Sequence, residues 1–373
     1  MLRPTDAYPK AEAVPALSQT PLPMKPAPRT LGRIPALDGL RALAILAVFG
    51  VHLQYTIGGN GVTVFFALSG FLISAILLEE IERTGRIQLG RFFVRRVRRL
   101  LPALLAFLIV DAIYIACCYT GWDRKAMLMM AALTPFYANN WLIGLRVVSD
   151  NHLSHTWSLA VEEQFYLVWP FVLLLIVRLA GIRRAGFVVL ALAVLAVGWR
   201  FAVAAMGGTE YRIYNGTDTR IDAVLFGAAT AFAFRYRMLP ESRAWHTVAG
   251  IVCLALVLHL FAGIGAAERS LSLRCLGGYA LAAMLTCVAI VLLAEGRGGR
   301  AGRWLAFPPL VYIGKISYGL YLWHYLIFDA IHTQFPTLDH VAAITWKLLL
   351  TSVAAVISFH FIERPFLAAN RSR

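Results

Sequence analysis

Two residues in one apolar stretch, Arg41 and His52, have the types and the spacing to support acid–base chemistry inside a membrane. Ile34 to Leu53 reads IPALDGLRALAILAVFGVHL, lipophilic enough to enter a bilayer yet carrying Asp38, Arg41 and His52. Ionisable groups in such a segment cost at least ~2.5–3.5 kcal/mol each and are functional by default. Eleven positions on an α-helix return to within ~20° of the same face and rise ~16 Å. One helical face therefore holds a cation near one membrane surface and an imidazole far across, and Asp38, one turn before Arg41, is placed to pair with it. A neutral imidazole takes a proton from a hydroxyl and returns it later, the service of a general base. The competing structural reading is a snorkelling Arg41 and a satisfied interfacial His52.

Three further constellations carry polar groups into apolar surroundings. Arg91-Phe-Phe-Val-Arg95-Arg96-Val-Arg98-Arg99-Leu-Leu-Pro102 puts Arg91, Arg95, Arg98 and Arg99 on one helical face. Guanidinium forks match the phosphates of a soluble ligand bidentately, and they equally suit anionic lipid headgroups that anchor topology. In His155-Thr-Trp157-Ser158-Leu-Ala-Val-Glu162-Glu163-Gln164-Phe-Tyr166, residues Ser158, Glu162 and Tyr166 share the face of a helix entering the membrane. Glu162 can orient an imidazole or hold a sugar hydroxyl, while Glu163 points ~100° away and reads as interfacial. The third is Ser317, Tyr321 and His324, on one face of a later helix, where interhelical hydrogen bonding is the alternative to catalysis. Arg220 and Asp222 stand two apart at the start of another helix, close enough for a local ion pair.

The elements that must position these groups are membrane helices. The chain has 373 residues, 59% hydrophobic and only 15% charged, with a mean hydropathy of +0.68. Long apolar runs recur from end to end, which excludes a soluble domain of useful size and makes the net charge of +15 a matter of basic loops rather than nucleic-acid binding. Apolar segments fall at about 36–57, 61–78, 100–119, 157–177, 185–206, 221–234, 246–264, 275–294, 304–330 and 344–362. Residues 126–144, broken by Pro135, Asn139 and Asn140, read as re-entrant or surface-lying. With ten spans and a cytoplasmic start, 24 Lys and Arg fall on the cytoplasmic side and 7 outside. An eleventh span would push every later basic turn outside. The expectation is an all-α, polytopic integral membrane helix bundle of about ten helices with both termini cytoplasmic. Residues 1–33 are proline-rich and form an expected disordered tail without a signal peptide, 34–366 the membrane domain, and 367–373 a short C-terminal tail. Cys117, Cys118, Cys253, Cys275 and Cys287 show no metal spacing and read as packing residues, so no metal is expected. There is no Walker-type GxxxxGK[ST] either, which argues against ATP-driven transport.

Taken together these motifs resemble the membrane-bound acyltransferase family 3, over about Ile34 to Phe366. Arg41 and His52 fit its R-x10-H signature, and Arg95, Arg96, Arg99 and Pro102 its paired-arginine run. Trp157, Ser158, Leu159 and Glu162 fit W-S-L-x-x-E, Arg220 and Asp222 an R-x-D element, and Ser317 to His324 the pattern S-Y-x-x-Y-L-x-H. Glu363-Arg364-Pro365 resembles the family's terminal E-x-P and reads as a helix stop. The resemblance implies O-acylation of surface polysaccharides or of macrolide-type sugars, with His52 as catalytic residue, supported by Arg41 and Glu162. The donor, acetyl-CoA or another acyl-CoA, is expected on Arg95, Arg96 and Arg99. The acceptor, a glycan, lipid-linked sugar or glycosylated small molecule, is expected on Trp157, Ser158, Arg220, Asp222, Tyr321 and His324. No permanently bound cofactor and no nucleic acid are expected, and the implied location is the bacterial cytoplasmic (inner) membrane. Some relatives carry a fused hydrolase-like domain; the given sequence runs only to Arg373, and none is expected here. A rival from another class is a secondary transporter of a sugar-containing substrate, in which intramembrane Arg, His and Glu form a relay.

Overall fold

The computed structural model describes residues 28–53, 60–149, 151–238, 244–262 and 278–368. Most of the expected tail (1–27), Cys275 and the end of the chain (369–373) lie outside the described residues. Among the described residues there are helices and turns but no strands. The elements are α1 (Pro35–His52), α2 (Gly61–Thr84), α3 (Leu89–Cys118), α4 (Gly121–Leu133), α5 (Asn139–Gly144), α6 (Trp157–Ala180), α7 (Ile182–Ala205) and α8 (Glu210–Asn215). They continue with α9 (Thr217–Arg235), α10 (Ala244–Ala262), α11 (Tyr279–Ala294), α12 (Gly299–Leu305), α13 (Pro308–Lys315), α14 (Ser317–Gln334), α15 (His340–Ile357) and α16 (Arg364–Ala368).

Among the described residues, six stretches are long and apolar enough to cross a membrane: Pro35–His52, Gly61–Thr84, Leu89–Cys118, Ser154–Ala180, Ile182–Ala205 and His340–Leu367. α11 and α12 together would make a seventh, but they bend by 89° at their junction. α9, α10 and α14 occupy three of the other expected stretches without reaching that combination of length and apolarity. α9 carries Asp218, Arg220, Asp222 and Arg235, and α14 carries His324, Asp329 and His332, so both are polar where the partners must be protein.

One expectation needs correction. The span expected over 304–330 is not one helix. Phe307 is extended (φ −60°, ψ 128°) ahead of two prolines, and the chain restarts as α13 and again, after Ile316, as α14. Residues 126–144 are likewise divided between α4, a 3₁₀ turn at Thr134–Phe136 and α5, with Tyr137 in the left-handed region (φ 55°). Asn139 and Asn140 are fully buried there. Asn139 donates to Thr156 Oγ1, and Asn140 donates to Thr217 Oγ1 at 2.9 Å and accepts from Gln164 at 3.0 Å, which ties the segment to α6 and α9.

Close backbone approach holds the bundle together. α2 and α9 cross at Gly70 and Gly227, where an added Cβ would come within 1.9 Å of the Val224 carbonyl oxygen and 2.0 Å of the Ala67 carbonyl oxygen. Small residues at a crossing let membrane helices pack by dispersion when lipid offers no hydrophobic drive. The same device clamps α1: a Cβ at Gly39 would sit 1.9 Å from the Leu305 carbonyl oxygen, and one at Gly314 would sit 1.8 Å from that of Asp38. This grip brings α13 and the start of α14 against the Arg41 turn of α1.

Candidate active site

Arg41 points from α1 to the break between α13 and α14. Its guanidinium donates to Ser317 Oγ at 3.0 Å and to the Gly314 carbonyl at 3.3 Å. Arg41, Ser317 and residues of α2, α3 and α6 then line a cavity of about 240 Å³. Arg96, Arg99, Ser69, Ser158, Glu162, Glu163 and Tyr321 also face it, among apolar side chains. On α2 its wall runs from Val62 to Ile76, ~21 Å of helix. Ser69 donates to Glu162 Oε1 at 2.6 Å. Arg96 lies flat on Tyr166, its guanidinium carbon 3.4 Å from the ring centre.

At the other end of the site, polar groups form a directed chain. Tyr321 lines the cavity, donates to the His155 carbonyl at 2.7 Å, and lies 2.6 Å from Ser158 Oγ. Because the tyrosine proton goes to a carbonyl, Ser158 is the donor of that pair. His324, fully buried, has Nδ1 2.6 Å from the Tyr321 carbonyl and Nε2 3.1 Å from His52 Nδ1. A carbonyl only accepts, so His324 Nδ1 carries the proton and the Nε2 of the neutral ring accepts. His52 Nδ1 must then be the N–H, which leaves His52 Nε2 with its lone pair. That is the tautomer a general base needs. His155 completes the cluster, stacked on Tyr325 at 5.3 Å and edge-on to His324 at 5.3 Å.

The expected site residues thus fall into three groups. Arg41, Arg96, Arg99, Ser158, Glu162 and Tyr321 line one cavity, with His324 and His52 stacked behind Tyr321. Arg95 does not line it, because the basic run winds around α3 and only Arg96 and Arg99 turn inward. Trp157, Arg220 and Asp222 form a separate layer. Trp157 packs on Phe66 and Tyr214, and Arg220 stacks on Tyr279 at 3.6 Å while donating to Thr63 at 3.0 Å. The local Arg220–Asp222 ion pair does not form: Asp222 pairs with the fully buried Arg200 of α7 at 2.7 Å.

Sequence reasoning missed several groups. Glu163, read as interfacial, faces the cavity beside Glu162. His155 was only the leading residue of a motif. Asp111, fully buried on α3, sits 2.7 Å from the equally buried His152 and ties the turn before His155 to that helix. Its signal in the sequence is a carboxylate in an apolar run.

The model of the family described as the acyltransferase domain (acyltransferase 3) matches residues 34–362. Peptidoglycan O-acetyltransferase OatA of Listeria monocytogenes is 34% identical over 352 residues, covering 89% of this chain and 55% of that protein. O-acetyltransferase OatA of Staphylococcus aureus is 33% identical over 351 residues, covering 89% of this chain and 57% of that protein. The chain spans little more than half the length of these curated relatives. No solved structure matches. With its motifs spread over the same interval that the family model covers, this chain belongs to the acyltransferase 3 family of membrane acyltransferases.

Proposed function

We propose that this chain moves an acetyl or other short acyl group from acyl-CoA to a hydroxyl of an envelope glycan, as the names of its relatives suggest for peptidoglycan. The observation that carries the reading is the single cavity joining Arg41, Arg96, Arg99, Ser158, Glu162 and Tyr321, next to a histidine pair that leaves His52 Nε2 unprotonated. Arg99 holds donor phosphates, Arg96 lines the donor's path beside it, and Glu162 positions the acceptor. His52 Nε2 takes the acceptor hydroxyl proton as its oxygen attacks the thioester carbonyl. The carbon–sulfur bond then breaks, and the proton passes to the leaving thiolate.

The bundle has ten spans with both termini in the cytoplasm of a bacterial inner membrane, on the basic-residue count of 24 inside against 7 outside. The arginine run then faces the cytoplasm, and His52 lies ~16 Å further out along α1. Donor and acceptor arrive from opposite faces. No observation in the fold favours the transporter. Sealed vesicles of known orientation decide. With acyl-CoA confined to the cytoplasmic side and an impermeant glycan to the outer side, acylated glycan forms. Product only when both are on the cytoplasmic side overturns the crossing and leaves the acyltransferase standing, while no product in either arrangement overturns the enzyme.

A further inference from the structure

Glu163 and Arg96 share a wall of the cavity and hold unused hydrogen-bonding capacity of opposite kinds. Arg96 has five N–H donors, and no acceptor among the described residues takes any of them. Its Nε and Nη2 are buried without a partner, as is Glu163 Oε1. Stacking on Tyr166 at 3.4 Å fixes the plane of the guanidinium. The two charges act on one another, yet no ion pair closes between them among the described residues. A carboxylate and a guanidinium buried side by side but held apart are costly, unless a third group fills the gap.

That group must offer an acceptor to Arg96 and a donor to Glu163 over a short span. A phosphate suits Arg96 but is repelled by Glu163 and by Glu162 beside it. A secondary amide is neutral and polar at both ends. We propose that Arg96 and Glu163 form a subsite for a secondary amide, Arg96 donating to its carbonyl and Glu163 accepting its N–H. Two sources carry that chemistry: the pantetheine arm of the donor and the acetamido group of an N-acetylated amino sugar. The subsite rests on the reading of the cavity as the acyl-transfer chamber, and it makes Glu163 a binding residue rather than an interfacial one.

The test uses the full chain in lipid nanodiscs, titrated calorimetrically with pantetheine and, separately, with N,N′-diacetylchitobiose. Glu163→Leu weakens one of these probes by roughly tenfold or more, the worth of a hydrogen bond to a charged group, and Glu163→Gln, whose carbonyl still accepts, keeps most of the affinity. The probe that responds names the source. A ligand-side variant frees the test from any folding defect. Replacing the amide N–H by an ester oxygen weakens binding to the unmodified protein as much as Glu163→Leu does. Both probes unmoved by Glu163→Leu, in a chain that still binds acyl-CoA, overturns the subsite and leaves acyl transfer standing. An unmodified chain that binds neither acyl-CoA nor the disaccharide overturns both.

Discussion

Replacing His324 by Phe removes the one side chain that accepts from His52 Nδ1, at 3.1 Å, while keeping an aromatic ring against Phe49 and Phe328. The loss is bounded by geometry. The His52 ring keeps its hydrogen bond to the Val48 backbone, so it is loosened rather than released. What disappears is one neutral hydrogen bond, about 0.5–1.5 kcal/mol, or roughly 2- to 13-fold in kcat. Removing the base itself, His52→Ala, costs ~10²–10⁴-fold. The assay is thiol release from acetyl-CoA with a glycan acceptor, in reconstituted membranes, with KM and kcat resolved for each substrate. His324→Phe lowers kcat within that range and leaves both KM values near their starting points. His324→Gln, whose carbonyl oxygen accepts, recovers most of the rate. In the double variant His52→Ala/His324→Phe the second change adds nothing, because a residue that acts through another has no effect once the other is gone. A double variant slower than His52→Ala, or a Gln variant as slow as Phe, refutes the tautomer argument and assigns His324 an independent role.

Three other outcomes follow from the packing and the cavity. Gly70→Ala puts a Cβ against the Val224 carbonyl and lowers thermal stability by about 1–3 kcal/mol, whereas Gly90→Ala, with nothing within 4 Å, leaves the melting temperature unchanged. Asp222→Asn strands the buried Arg200 and costs about 3–5 kcal/mol, measured by thermal unfolding in detergent; the paired change Arg200→Met/Asp222→Leu restores most of it, since an apolar pair needs no counter-charge. Arg96→Ala and Arg99→Ala raise the KM for acyl-CoA with less effect on the acceptor, while Arg95→Ala, outside the cavity, does not. Equal effects of all three would return the basic run to a topology anchor.

Much of the site was readable along the chain because each motif lies on one helix, where the ~100° period places residues on a face. That period related Arg41 to His52 and Ser317 to His324. It failed wherever the partner comes from elsewhere in the bundle. Asp222 meets Arg200, 22 positions earlier, rather than its neighbour Arg220, and no local rule couples α7 to α9. The ~100° offset of Glu163 from Glu162 suggests an interface, yet both carboxylates line one cavity with Arg96 of α3, which stacks on Tyr166 of the same helix as the two acids. Arg95 failed the opposite way, since a basic patch on a wheel does not say which of its members a neighbour covers. The ten apolar stretches each contain a long helix, but the polar content of α9 and α14 answers to protein neighbours that composition cannot reveal.

The layer around Tyr321 has a consequence for the electrical life of the cell. The tyrosine hydroxyl gives its proton to the His155 carbonyl and takes one from Ser158, so its hydrogen-bonding capacity is engaged within the protein. Phe65 backs the ring at 6.4 Å, and the fully buried His324 stands beyond it. A chamber serving substrates on both faces of a bilayer is also a potential leak for protons and ions. With its hydroxyl bonded on both sides, Tyr321 gives a file of water little to nucleate on, and in the proposed cross-membrane reading this layer would keep the chamber from discharging the gradient across the bilayer.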